Sequence, residues 1–140
     1  MIYVYDASFI IAIVLPDGNN PKIDKIHNAL DENDNIYIPQ LIWYETANIF
    51  RNLIWRKRFT IDEVMYFYPL LSSFNFHTDF ETNLDYSKKV LNLCSVYNIS
   101  AYDATYLELA ERKKAILCTM NENLINAARK HGVEVINQGD

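Results

Sequence analysis

Residues 115–136 read AILCTMNENLINAARKHGVEVI, and the fold is decided there. Ala115 to Thr119 is an apolar run of strand length; after a polar break, Glu122 to Lys130 carries apolar residues at helical spacing. Gly132 stands where a C′ glycine closes a helix, and Val133 to Ile136 reads as a second strand. Strands that alternate with helices imply right-handed crossovers and a mostly parallel sheet covered on both faces. The stretch therefore predicts an α/β fold, a three-layer α/β/α domain.

The same alternation extends upstream. Helices are expected over Tyr102 to Lys113 and over Thr82 to Tyr97, the latter with Leu84, Val90, Leu91, Leu93 and Cys94 as its apolar surface. Ser73 to His77 reads as a weaker strand. Thr60 and Glu63 have capping-box spacing, so a helix runs from Thr60 to about Tyr68, before Pro69. Gln40 to Arg58 is a long helix that follows the strand Ile36 to Ile38. It is apolar around most of its circumference and is expected to be largely buried. The turn cluster Asp17-Gly18-Asn19-Asn20-Pro21 separates a helix from Lys22 to Asp31 from an earlier one, Ala7 to Leu15. Before that lies MIYVYD, a short β-branched and aromatic run that ends on Asp6.

At 140 residues and 50% hydrophobic the chain suits one domain over residues 1–140 with an ample core. The longest apolar run, Phe9 to Leu15, cannot span a bilayer, and no signal-peptide pattern precedes it, so the expectation is a cytoplasmic protein without a membrane partner. Cys94 and Cys118 lack metal-ligand spacing and read as reduced core thiols. A formal charge of −5 argues against binding nucleic acid by bulk attraction, yet Arg51, Arg56, Lys57 and Arg58 form a local basic cluster. Each such cluster at a helix end is accounted for by the helix dipole alone, as is Arg112-Lys113-Lys114. His27, His77 and His131 are scattered, without ligand spacing.

Several acids have ordinary explanations when taken singly. Asp6 suits a helix N-cap. Asp103 sits in the first turn after Ser100, and Thr119 with Glu122 has capping-box spacing. Glu45 lies about one turn into a helix read as buried, on a stripe with Asn48, Asn52 and Arg56, and a salt bridge to Arg56 would account for it. Taken together they point elsewhere. Asp6, Glu45, Asp103 and the Asn121-Glu122 pair each fall at, or one turn beyond, the carboxyl end of a predicted strand, the edge where open parallel sheets bind ligands. Carboxylates gathered at one rim repel unless protonated or joined by a cation. Oxygen ligands without clustered His or Cys favour Mg²⁺ or Mn²⁺ over zinc, and such a site suits attack on a phosphoryl group.

YDASFIIAI near the start, E-T-A-N at Glu45, and S-A-Y-D-A-T-Y-L-E-L-A followed by L-C-T-M-N give the sequence a recognisable pattern. In order and spacing it resembles PIN-domain ribonucleases, particularly the VapC toxins of VapBC toxin–antitoxin pairs. The resemblance implies a metal-dependent endoribonuclease whose acids hold Mg²⁺ or Mn²⁺. By motif, Asp6, Glu45 and Asp103 match the core acids, Ser8 a small hydroxyl residue beside the first, and Thr119 the Thr of a T-x-D motif. The fourth acid of that motif is Asn121 here. An amide brings no negative charge, so a one-metal site is expected over a two-metal site, with Glu122 available to compensate.

The leading expectation is an endoribonuclease toxin in which Arg56 positions phosphates and Tyr102 or Tyr5 stacks an unpaired base. The competing one is a catalytically weakened PIN-like module that binds RNA or protein. A phosphotransfer enzyme with Asp6 as nucleophile lacks its D-x-D arrangement, because Ser8 holds the second position. The resemblance also implies a VapB-like antitoxin that inserts a segment, often with Arg, into the acidic rim. Trp43, Phe50, Trp55, Phe59, Tyr66 and Phe67 offer more aromatic surface than a thin domain hides, which points to a homodimer or antitoxin interface.

Overall fold

In the computed structural model, residues 1–16 and 20–136 are described; Asp17, Gly18 and Asn19 of the expected turn cluster lie outside them. The elements are β1 (Ile2–Tyr5), α1 (Ala7–Val14), α2 (Pro21–Asn28), β2 (Asn35–Pro39), α3 (Leu41–Trp55), α4 (Ile61–Met65) and α5 (Phe67–Ser72). They continue as β3 (His77–Asp79), α6 (Leu84–Tyr97), α7 (Ala101–Lys113), β4 (Ile116–Cys118), α8 (Glu122–Lys130) and β5 (Val135–Ile136). The five strands form one sheet in the order β3-β2-β1-β4-β5, and every pairing is parallel. Consecutive residues Val4 and Tyr5 of β1, which face opposite ways, are both fully buried, so helices cover the sheet on both faces. The result is a three-layer α/β/α domain.

Strand order places the candidate site. From β1 the chain moves outward through β2 and β3, then crosses back to the other side of β1 for β4 and β5. The reversal lies between β1 and β4, where Tyr5 pairs with Cys118. Ligands of open parallel sheets bind beyond the carboxyl ends of the strands at such a switch point. The next residues along, Asp6 and Thr119, open onto that crevice.

Three local expectations give way. The strand expected over Ser73 to His77 begins only at His77, because Ser73 caps α5 and Asn75 turns the chain with φ +52. Phe74 and Phe76 alternate like strand residues but pack on each other, ring centroids 5.1 Å apart. Pro69 does not stop a helix. It is the third residue of α5, where a missing N–H costs nothing because first-turn amides have no helical partner. Lastly, α3 is buried on one face only, through Ile42, Thr46, Phe50 and Leu53, while Trp55 remains 75% exposed. Helical periodicity cannot tell a face buried in the core from one left for a partner.

Other signals hold locally. Thr60 and Glu63 form the reciprocal capping box. Cys94 and Cys118 are free thiols, and among the described residues no helix is long and apolar enough to cross a membrane. Gly132 follows the α8 cap with φ +84, and a Cβ added there would meet nothing within 4 Å. Its requirement is therefore one of backbone conformation alone. Gly132→Ala is expected to lower the unfolding free energy by about 1–2 kcal/mol, the cost of a left-handed L-residue, as measured by urea denaturation.

Candidate functional site

Asp6 extends the ladder between β1 and β4 by donating its N–H to the Cys118 carbonyl at 3.1 Å. It then becomes the N-cap of α1, its Oδ1 accepting from the Phe9 N–H at 3.0 Å. The cap expected from the sequence is real, and it is only part of the side chain's environment. Ser8 Oγ donates to Oδ1 at 2.7 Å, and the Thr119 hydroxyl donates to Oδ2. Each helper is itself fixed: Ser8 Oγ accepts from Met120 N–H and Thr119 Oγ1 from Asn121 N–H, both at 3.0 Å. Asp6 is 4% exposed. Burial pushes its carboxyl above the ordinary carboxylate range, the three donors pull it back, and the charge of Asp103 pushes it up again.

Glu45 stands one turn into α3, half-buried, and its Oε1 accepts a hydrogen bond from the Tyr106 hydroxyl of α7. Asp103 lies in the first turn of α7, where Ser100 caps the helix by accepting the Asp103 N–H at 3.0 Å. Its Oδ2 accepts from Asn121 Nδ2 at 3.2 Å. Burial raises both carboxyls, and the charges of Asp6 and Asp103 raise Glu45 further. The fold thus brings Asp6, Glu45 and Asp103 within electrostatic reach of one another. Asp103 arrives by a route other than the one expected: it follows helix α6 rather than a strand, and meets the rim because α7 begins there.

Among the described residues, no Lys or Arg pairs with these three acids. Nor do any three His, Cys, Asp or Glu side chains form a ready-made cage for a metal ion. Glu45 is bonded to Tyr106 and Asp103 to Asn121, so the cleft is acidic and its carboxylates are held by neutral donors. Its all-oxygen, uncompensated donor set fits a hard divalent cation and not a soft one.

The remaining expectations sort by position. Thr119 is not the cap of α8. Asn121 is, with Oδ1 accepting from the Asn123 and Leu124 N–H groups, so its oxygen is committed to the helix and its amide nitrogen faces Asp103. Glu122 is exposed in the first turn of α8 and bonds to none of the three acids. Arg56 caps the far end of α3, roughly 16 Å along the helix axis from Glu45, and makes no salt bridge to it. Tyr5 is fully buried, its hydroxyl on His27 Nδ1 at 3.0 Å, and so is removed from any stacking role. Tyr102 is 61% exposed, next to Asp103. Arg112 is spent on Asp79, Glu81 and Glu108. Tyr106 was missed. It reads as a core aromatic, although its place three residues past Asp103 puts both on one helix face. A concavity of about 760 Å³ lined by His27, Asp34, Phe74 and His77 opens at the amino end of β2 and contains none of the three acids.

A parallel sheet whose switch point is lined by carboxylates defines an α/β domain with an acidic cleft at its carboxyl edge. The family model of the PIN domain matches residues 3–130, and the chain belongs to that family. Comparison with curated proteins finds no match. Solved structures of similar fold include PAE2754 from Pyrobaculum aerophilum, at 21% identity over 99% of this chain and 93% of that one, with TM-score 0.72. VapBC-1 from nontypeable Haemophilus influenzae is 16% identical over 100% of both chains, TM-score 0.70. VapBC2 from Rickettsia felis, solved bound to a DNA fragment from its promoter, is 16% identical over 98% of both, TM-score 0.64.

Folding raises the carboxyl of Asp6, so its charge destabilises the folded state at neutral pH, and that penalty disappears as pH falls through the raised value toward the unfolded one. Asp6→Asn keeps an acceptor for the α1 cap and removes the charge. In EDTA at pH 7.5 it is expected to be more stable than the native chain to urea. The difference is expected to shrink on approach to pH 4.

Proposed function

We propose that the protein is a Mg²⁺- or Mn²⁺-dependent endoribonuclease, the toxin of a VapBC-type pair, with residues 1–140 acting as one PIN domain in the cytoplasm. The observation that carries this reading is the meeting of Asp6, Glu45 and Asp103 at the sheet's switch point with no cation of the described residues paired to them. These three would hold the ion. When bound, it would polarise a phosphoryl oxygen and lower the pKa of a water for in-line attack. Ser8 and Thr119 fix the Asp6 carboxylate, and Asn121 fixes Asp103 while adding no charge. One ion is therefore favoured over two, and Glu122, exposed and unbonded to the acids, does not replace the missing one. Tyr102, exposed next to Asp103, would stack a base beside the cleft, whereas Arg56 could meet only a phosphate well along the strand.

Two partners complete the reading. A basic segment of a VapB-like antitoxin complements the acidic cleft, in keeping with the VapBC complexes among the similar structures. The exposed face of α3 and α4, with Tyr44, Trp55, Ile61, Met65 and Tyr66, is assigned to a homodimer. Its apolar side chains would be covered by the same face of a second copy across a twofold axis.

Mn²⁺-dependent cleavage of structured RNA is expected for the native chain, with Asp6→Asn reducing the rate by more than about 100-fold, beyond what loss of an outer-sphere partner costs. Equal cleavage by both would overturn the reading.

A second reading, a catalytically weakened module that binds RNA or protein, is favoured by Asn121 itself, whose amide occupies Asp103 where the family pattern has an acid. Asn121→Asp separates the two, because Asp retains the α8 cap. A gain of about tenfold or more in Mn²⁺ affinity and cleavage marks an impaired native site. An unchanged rate marks a site already complete.

A further inference from the structure

The three acids are not equally held. Asp6 accepts from Ser8, Phe9 N–H and Thr119, and Asp103 from Asn121 with Ser100 beside it. Glu45 has the longest side chain of the three, and among the described residues it has a single hydrogen-bond partner, the Tyr106 hydroxyl. A glutamate with three rotatable bonds can present its carboxylate over several ångströms unless something fixes it.

Tyr106 is suited to fix it. Its ring is 2% exposed, locked among core residues, and only its hydroxyl reaches the cleft. It lies three residues beyond Asp103 on α7, so the helix that carries one acid also orients another, which is carried by α3. Its hydroxyl donates to Glu45 Oε1. It also brings no charge. A lysine or arginine in its place would orient Glu45 equally well, but would neutralise it and compete with a divalent ion. The bond holds one carboxylate oxygen, Oε1, and among the described residues Oε2 has no hydrogen-bond partner.

We propose that Tyr106 is a positioning residue, which orients Glu45 toward the divalent ion of the cleft by a hydrogen bond from the rigid core. This rests on the reading of the cleft as a metal site. The simpler role, in which Glu45 merely satisfies a buried hydroxyl, would cost stability on removal but would not alter ion affinity.

The test is Mn²⁺ affinity, read by electron paramagnetic resonance of the free ion with EDTA-stripped protein and no RNA. Tyr106→Phe is expected to weaken binding about tenfold or more, as loss of an outer-sphere partner does. In a Glu45→Gln background the same substitution is expected to change affinity less than twofold, because it acts through the carboxylate. An unchanged affinity in Tyr106→Phe, or an equal loss in both backgrounds, would overturn the proposal while leaving the metal site standing. Absence of Mn²⁺ binding by the native chain would overturn both. If Tyr106→Phe fails to give a cooperative melt, Glu45→Asp keeps the charge and withdraws it from the phenol. It too is expected to bind about tenfold more weakly, and native affinity in that variant would likewise overturn the proposal.

Discussion

The structure depends on keeping one buried and two half-buried carboxylates together without neutralising them. Each is held by neutral donors alone: hydroxyls of Ser8, Thr119 and Tyr106, the Phe9 N–H, and the amide of Asn121. Neutral donors orient a carboxylate and offset part of its desolvation, but they leave its charge available. The contrast is Arg112, which binds Asp79 through two nitrogens and also engages Glu108. There the acids are cancelled and structural. At the switch point they are not, and burial raises the carboxyls of Asp6, Glu45 and Asp103.

Topology supplies the convergence. Parallel pairing sets Tyr5 beside Cys118, and so Asp6 beside Thr119, across 113 residues of sequence. The next two residues after Thr119 and the first turn of α7 then close the same corner, through Asn121 and Asp103. Glu45 comes from the neighbouring strand's helix, on the side of β1 away from β4. No acid of the three is near another in sequence. A sheet whose order reverses at β1 brings the starts of their helices to one edge.

The parts legible in the sequence were those written in local periodicity. The β–α–β pattern of residues 115–136 carried the parallel sheet, and strand ends marked Asp6 and Glu45 as rim residues. What stayed hidden was decided by long-range competition. Thr119 and Glu122 have capping-box spacing, yet α8 starts only at Glu122, so Asn121 is its cap and the Thr119 hydroxyl goes to Asp6. The aromatic alternation of Phe74 and Phe76 imitates a strand, yet Asn75 breaks it. Tyr106 looked like core because its ring is core, and nothing local shows where a buried hydroxyl points. The exposed side of α3 was misread for the matching reason, since helical spacing does not show which apolar side chains the core covers.

A crystal soaked in Mn²⁺ and measured at a wavelength giving anomalous signal tests the central claim most directly. The account predicts one peak at the carboxyl edge of the sheet, with oxygens of Asp6, Glu45 and Asp103 around it. A map with no density among those three side chains, or with the ion bound elsewhere on the chain, would contradict it.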